Sequence, residues 1–313
     1  MAATPSSRRV LLVSFLVDVF DVVSNLVVAL LTGSAVVFAE MAQGLADSAG
    51  SALLVIGERR SKRPSDADHP LGYAREAFFW ALLSAVAMLM IGAGLSAWRG
   101  YQQLVNPSPL NTPLLAIAVV GLAVVTNGYA VSLSIRKLVA EHGSLRAAFR
   151  NMDQPLVKSA FLRDAIGTFT SVVGLAALMI YQRLGLLVFD ALGALVAAVM
   201  MVAGSIMLMT QARALITGQA LPDHALSRMR AAVLNTPGVE AVNRLAAVYS
   251  GTSQVLVDAD LDLAEDLDTV QIEALLDLLE ARLRAVVHDV ERVRVILNSP
   301  DKPGHTAMVA HRR

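Results

Sequence analysis

The sequence predicts an all-α bundle of six transmembrane helices followed by a small α+β domain, and three observations lead there. Hydrophobic residues make up 55% of the 313 and charged residues only 17%, with a positive mean hydropathy, a balance typical of membrane proteins rather than large soluble enzymes. Apolar runs recur at the roughly 20-residue length that a bilayer-crossing helix needs. After Met209 the pattern changes to that of a water-soluble domain.

Taken in order, the chain opens with a short basic segment, 1–9, whose S-S-R-R superficially resembles a twin-arginine export signal. No small-residue cleavage site follows its apolar run, which carries Asp18 and Asp21, so an uncleaved first span is expected. The six runs are 10–31, 35–57, 77–98, 114–135, 157–181 and 184–209, within a transmembrane domain of 10–212. Thr32, Gly33 and Ser34 join the first two as a tight hairpin, and N-P-S-P-L-N-T-P separates the third from the fourth. Arg8 and Arg9 precede the first run. Arg59, Arg60, Lys62, Arg63 and Arg75 follow the second, and Arg136, Lys137, Arg146, Arg150 and Lys158 surround the segment after the fourth. The opposite loops hold only Arg99 and Arg183, so by the positive-inside rule both termini are cytoplasmic.

Residues 213–300 read as helix 222–234, strand 239–248, strand 254–263, helix 267–287 and strand 290–296. The order αββαβ suits a small open-faced, ferredoxin-like sandwich. The tail 301–313 reads as disordered, with His305 and His311 either solvated or available to metal.

Absent cysteines exclude disulfides and thiolate metal sites, and a formal net charge of zero argues against nucleic acid as partner. No nucleophile, base and oxyanion arrangement is legible, so the chain does not read as an enzyme, and no resident cofactor is expected. The informative polar residues lie inside the apolar runs. Glu40, Gln43 and Asp47 stand in the second, with Gln43 and Asp47 four apart on one helical face. Asp164 and Thr168 form a similar pair in the fifth. Ionisable groups at membrane depth are costly and face a cavity or a partner. Side by side in a bundle, the two pairs would surround one point with two carboxylates and two neutral oxygens, the outline of a small cation site.

Several stretches carry a resemblance: T-G-S-A at 32–35, E-M-A-Q-G-L-A-D at 40–47, R-R-S-K-R-P-S-D-A-D-H-P-L-G-Y-A-R-E at 59–76, F-L-R-D at 161–164, and A-L-P-D followed by T-P-G-V-E at 236–240. With the six runs and the αββαβ order, the chain resembles the cation diffusion facilitator family over nearly its whole length. Within it the text most resembles the mitochondrial-type zinc transporter branch, where similar stretches read E-A-I-H-S-L-A-D, H-P-x-G-Y-G-R-E and F-L-E-D. The resemblance implies a homodimeric cell-membrane exporter that moves a divalent metal, zinc or alternatively manganese, iron or cobalt, out of the cytoplasm in exchange for protons by alternating access. It places the metal, as transported substrate, at Gln43, Asp47, Asp164 and Thr168.

Two positions depart from that pattern. The branch has His where Gln43 stands, and many members have a second carboxylate where Thr168 stands. The remaining oxygen-only shell suits harder ions better than zinc, or else marks a site of reduced affinity. Asp18, Asp21 and Asn25, at i, i+3 and i+7, form one stripe of the first run. Asp18 or Asp21 either lends a third carboxylate to the cavity or hydrogen-bonds a neighbouring helix.

Other polar residues have plainer readings. Glu40 serves an exit vestibule or sits at the water interface. Asp66, Asp68 and His69 resemble an acid and histidine cluster near the family's entrance, and the same stretch reads as a structural turn with an acidic funnel. Asp190 reads as structural, Arg163 as an interfacial residue or a contact to a partner helix, Asn127 as interhelical glue, and His288 as a surface residue. Asn243 and Asp260 do not form a zinc set, and Asp258, Asp260 and Asp262 read as solvated. A non-transporting dimeric partner or sensor with a degenerate site is the alternative function.

Overall fold

A computed structural model of the chain describes residues 21–142, 155–252, 254–264, 266–287 and 290–298. Two compact units divide it, Met1–Arg213 and Ala214–Arg313. Asp18, His288, His305 and His311, with the tail 301–313, lie outside the described residues.

The first unit is helical: α1 (Asp21–Thr32), α2 (Ala35–Ser61), α3 (Glu76–Val105), α4 (Pro113–His142), α5 (Pro155–Leu184) and α6 (Val188–Ile216). Four of these, α3 to α6, are long and apolar enough to cross a membrane. The α1 helix is the described end of the first apolar run, and α2 carries Glu40, Gln43 and Asp47, of which Gln43 is buried. Several helices outrun their apolar stretch: α4 continues past 135 to His142, through Arg136 and Lys137. Backbone hydrogen bonding does not stop where hydropathy does. Within α3, Met88–Ala93 widens into a π-helical turn that buries Met88, Gly92 and Ala93.

The α1–α2 hairpin is tied from all sides. Gly33, at φ +73°, ends α1 in the left-handed conformation that glycine adopts without strain, its N–H reaching Ala29 O at 2.9 Å. Arg99 Nη2 donates to Gly33 O at 2.6 Å, and Asn111 N donates to Thr32 O at 3.1 Å. Ser34 caps α2, its Oγ accepting from Val37 N at 3.2 Å while donating to Asp190 Oδ1 at 2.6 Å. The Asp190 carboxylate, fully buried at the start of α6, accepts from Ala35 N at 2.7 Å and Val36 N at 3.2 Å. It therefore satisfies two of the first-turn N–H groups that a helix leaves without partners, and its charge sits at the positive end of the helix dipole.

Below this anchor the helices approach closely. A Cβ on Gly174 or Gly193 would stand 2.7 or 2.6 Å from a Val36 methyl, and one on Gly204 would collide with Ile166. Small residues permit such approach, and in a bilayer close van der Waals packing is a main source of helix association.

In the second unit, α7 (Asp223–Leu234), β1 (Val239–Gly251), β2 (Gln254–Leu263), α8 (Thr269–Val286) and β3 (Val290–Asn298) follow the predicted order. The sheet order is β1-β2-β3, antiparallel between β1 and β2 and parallel between β2 and β3. Alternate residues of β2, Val255, Val257, Ala259, Leu261 and Leu263, are buried and share a core with Met229 and Val233 of α7 and Leu275, Leu279 and Leu283 of α8. Asp268 and Gln271 close a capping box at the start of α8. On the other sheet face, Asp258, Asp260 and Asp262 are half-buried rather than solvated. Asn243 Nδ2 lies 2.9 Å from Asp262 Oδ1 and 3.4 Å from Asp260 Oδ1, and Arg294 Nε lies 3.9 Å from Asp258 Oδ1. Cross-strand neighbours, invisible to a single-strand reading, cover these acids.

The α2–α3 loop is organised by Asp66. Its Oδ1 accepts from His69 N at 2.7 Å and its Oδ2 from the Tyr73 hydroxyl at 2.6 Å, while the His69 and Tyr73 rings lie 4.2 Å apart. Both bonds favour the ionised form, with Tyr73 the larger influence, and hold the carboxyl below its ordinary value.

Two outcomes follow from these anchors. Asp190→Ala strands the Ser34 hydroxyl and two backbone N–H groups, and is expected to lower unfolding free energy in detergent by about 2–4 kcal/mol; an unchanged thermal midpoint would contradict the anchoring role. A depressed carboxylate contributes order above its ordinary pKa and loses that contribution as pH falls through the lowered value. A carbon-13 titration of Asp66 should accordingly show a midpoint below the usual aspartate range, returning toward it in Tyr73→Phe; identical curves would remove Tyr73 as the cause.

Candidate metal site

The α2 helix presents Glu40, Gln43 and Asp47 at i, i+3 and i+7, and each meets α5. Ser171 Oγ lies 3.1 Å from Glu40 Oε2, and Asn127 Nδ2 of α4 donates to the same Ser171 oxygen at 3.0 Å. Thr170 Oγ1 lies 2.8 Å from Gln43 Oε1 and also reaches its own helix at Ile166 O and Gly167 O. Asp47 Oδ1 lies 3.6 Å from Arg163 Nε. The contact is close because Gly167 has no side chain: a Cβ there would stand 2.8 Å from Gln43 Nε2.

The predicted quartet is distributed along this seam. Gln43 and Asp47 share one face of α2, as expected, and Gln43 is 8% exposed. On α5, Asp164 Oδ2 accepts from Ser134 Oγ of α4 at 2.9 Å, while Thr168 Oγ1 donates to Asp164 O at 3.0 Å. The structure thus brings Gln43 to Thr170 and Asp47 to Arg163, and turns Asp164 toward α4. Asp21 accepts from Asn25 Nδ2 at 3.1 Å, and its Oδ2 lies 3.7 Å from where a Cβ on Gly44 would be, so the α1 stripe faces α2. Among the described residues no three of His, Asp and Glu gather at metal-ligand spacing.

Three sequence readings have direct counterparts. Asp190 accepts bonds from a neighbouring segment, Asn127 bridges α4 to α5, and Arg163 contacts α2 and α3. Glu40, read as either a vestibule or an interface residue, is turned to the seam. The hydroxyls of Ser84, Ser134, Thr170 and Ser171 were not legible: small hydroxyl residues are ordinary in spanning helices, and only the helix rotations reveal which of them face partners.

Chemically, the predicted set comprises the carboxylates of Asp47 and of Asp164, the latter turned to Ser134, with an amide oxygen from Gln43 and a hydroxyl from Thr168. All are oxygen donors, the type that suits hard divalent ions, and imidazole and thiolate are absent from this set.

Known proteins match the chain in sequence over both units. The model of the cation efflux transmembrane domain matches residues 11–216, and that of the cation efflux protein cytoplasmic domain matches residues 221–295. A Xenopus laevis protein, proton-coupled zinc antiporter SLC30A9, mitochondrial, is 26% identical over 259 residues, covering 81% of this chain and 46% of its own. Metal tolerance protein C4 of Arabidopsis thaliana is 27% identical over 235 residues, 74% of this chain and 51% of its own. This chain therefore spans about half the length of these two relatives. The cation-efflux pump FieF of Cronobacter sakazakii is 26% identical over 250 residues, 80% of this chain and 78% of its own. Since the two family models together account for the helical unit, its polar seam and the αββαβ unit, the chain belongs to the cation efflux, or cation diffusion facilitator, family.

Proposed function

We propose that this chain is a secondary transporter that exports a divalent metal cation from the cytoplasm, in exchange for protons, with Gln43, Asp47, Asp164 and Thr168 as the substrate's ligands. The observation that carries this reading is the polar seam between α2 and α5, in which Gln43, Thr170 and Ser171 are buried and Asp47 is partly so, inside a unit whose sequence matches the cation efflux transmembrane domain. Apolar helices do not retain buried acids without a partner or a substrate. The named relatives include a proton-coupled zinc antiporter and a cation-efflux pump, which supports both the class of substrate and the exchange.

Ligands must be deprotonated to hold a metal, so metal entry at any ligand carboxyl that carries a proton releases that proton, which supplies the coupling. Thr170 and Ser134 hold the oxygens of Gln43 and Asp164 in this arrangement; loading exchanges those hydroxyl bonds for metal. An oxygen-only set favours a harder ion such as manganese over the zinc that the relatives' names carry. Asp21, on the α1 face, or Asp18, which lies outside the described residues, supplies a third carboxylate. Six bilayer crossings with both termini cytoplasmic follow from the basic loops, and the second unit, matching the family's cytoplasmic domain, joins two copies into a homodimer.

One observation favours a second reading. With Asp47 on Arg163 and Asp164 on Ser134, the two acids are already engaged, as in a non-transporting partner or sensor. Metal uptake into inverted vesicles separates the two. The transport reading expects wild type to accumulate metal and extrude protons, and Asp47→Ala and Asp164→Ala each to cut the rate at least about tenfold, the loss of one charged ligand. Mutants that match an active wild type would remove these residues from the site, and an inactive wild type would favour the partner.

A further inference from the structure

A permanently charged guanidinium sits in the seam, and the transport reading as stated gives it no part. Arg163 Nε lies 3.6 Å from Asp47 Oδ1, and its Nη2 donates to Ser84 Oγ of α3 at 3.0 Å. The two charged side chains are mostly withdrawn from solvent, 21% exposed for Arg163 and 35% for Asp47. Gly50 provides the space: a Cβ there would stand 2.6 Å from Ser84 Oγ and 3.5 Å from both Nη atoms of Arg163. Arg163 therefore leaves α5, crosses the seam, and is held by α2 and α3 together.

We propose that Arg163 is a tethered counter-ion that competes with the substrate metal for Asp47, so that an ion loads by displacing the guanidinium and the guanidinium returns when the ion leaves. This rests on the transport reading of the same site. Arginine keeps its proton under all ordinary conditions, so its charge leaves Asp47 only by movement of the side chain. A divalent ion and a guanidinium cannot both contact one carboxylate without strong mutual repulsion in a site shielded from water. The swap keeps Asp47 compensated throughout, lowers metal affinity enough to allow release, and discriminates by valence: a doubly charged ion outcompetes the guanidinium where a singly charged one does not. Ser84 helps hold the guanidinium against Asp47, and so favours the metal-free arrangement.

The charges around this pair agree. Among the described residues, α2 contributes Glu40 and Asp47 to the seam, α5 contributes Arg163 and Asp164, and α1 brings Asp21 alongside Gly44. From α3 comes the neutral Ser84, from α4 the neutral Ser134 and Asn127, and α6 meets α5 with Gly204 against Ile166. Acids outnumber the single base, so a divalent ion remains welcome once Arg163 has stepped aside.

The test is isothermal titration of Mn2+ and of Zn2+ into the purified full chain, with uptake kinetics in proteoliposomes beside it. Arg163→Gln should tighten the metal Kd about tenfold, equivalent to ~1.4 kcal/mol, and lower KM together with kcat because release slows. Arg163→Lys, which keeps the charge, should restore a Kd near wild type. In an Asp47→Asn background Arg163→Gln should change nothing. Ser84→Ala leaves every proposed ligand in place and should tighten Kd about twofold to threefold through loss of one charged-group hydrogen bond, which decides the matter if Arg163→Gln fails to fold. Metal binding in wild type with unchanged or weaker Kd in Arg163→Gln and Ser84→Ala would overturn the counter-ion while leaving transport standing. Binding in Arg163→Gln alone would support it strongly, and no binding of either metal in any variant would overturn both.

Discussion

The buried carboxylate of Asp190 is the constraint on which the rest of the helical unit depends. By taking up the Ser34 hydroxyl and the amides of Ala35 and Val36, it joins the start of α6 to the start of α2. A helix fixed at its first turn has its rotation fixed as well, and the 3.6-residue repeat then determines which side chains face α5 one, two and three turns on. Those are Glu40, Gln43 and Asp47. Val36, in the anchored turn, packs against Gly174 and Gly193, so the hydrogen bonds and the closest helix contacts occur at the same level. Arg99 and Asn111 add bonds to the hairpin from α3 and the following loop, and the anchor thus engages most of the bundle.

Much of this was legible in the sequence because it follows from periodicity and cost. Ionisable residues within apolar runs require partners, which singled out Asp47, Asp164 and Asp190. Alternation over Q-V-L-V-D-A-D-L-D-L fixed β2 to the residue, from Gln254 to Leu263. What could not be read was which neighbour each group meets. Gln43 was paired with Asp47 by spacing, yet its oxygen is met by Thr170; Asp164 was expected to face α2 and instead reaches Ser134. Helix rotation about its own axis is set by tertiary packing, here through Gly167 and Gly204, and one sequence carries no direct record of it. The acids of β2 illustrate the same point, since Asn243 and Arg294 come from strands on either side.

The seam also shows how a bundle can hold a charged site without being unstable. Each acid is engaged by a group from another helix: Glu40 by Ser171, Asp47 by Arg163, Asp164 by Ser134. These bonds are the exchangeable kind, hydroxyls and one guanidinium, rather than buried backbone amides of the sort that grip Asp190. The difference between the acid that grips the hairpin and the acids of the seam is visible in hydrogen-bond donors rather than in residue type.

The most direct measurement of the central claim is the position of the metal itself, by anomalous scattering from crystals of the Mn2+-loaded protein. A peak between α2 and α5, within about 2.5 Å of oxygens from both Asp47 and Asp164, is what this account predicts, with the Arg163 guanidinium displaced from Asp47. A peak confined to the Asp66 loop or to the acidic face of the sheet, with Asp47 still held by Arg163, would contradict it.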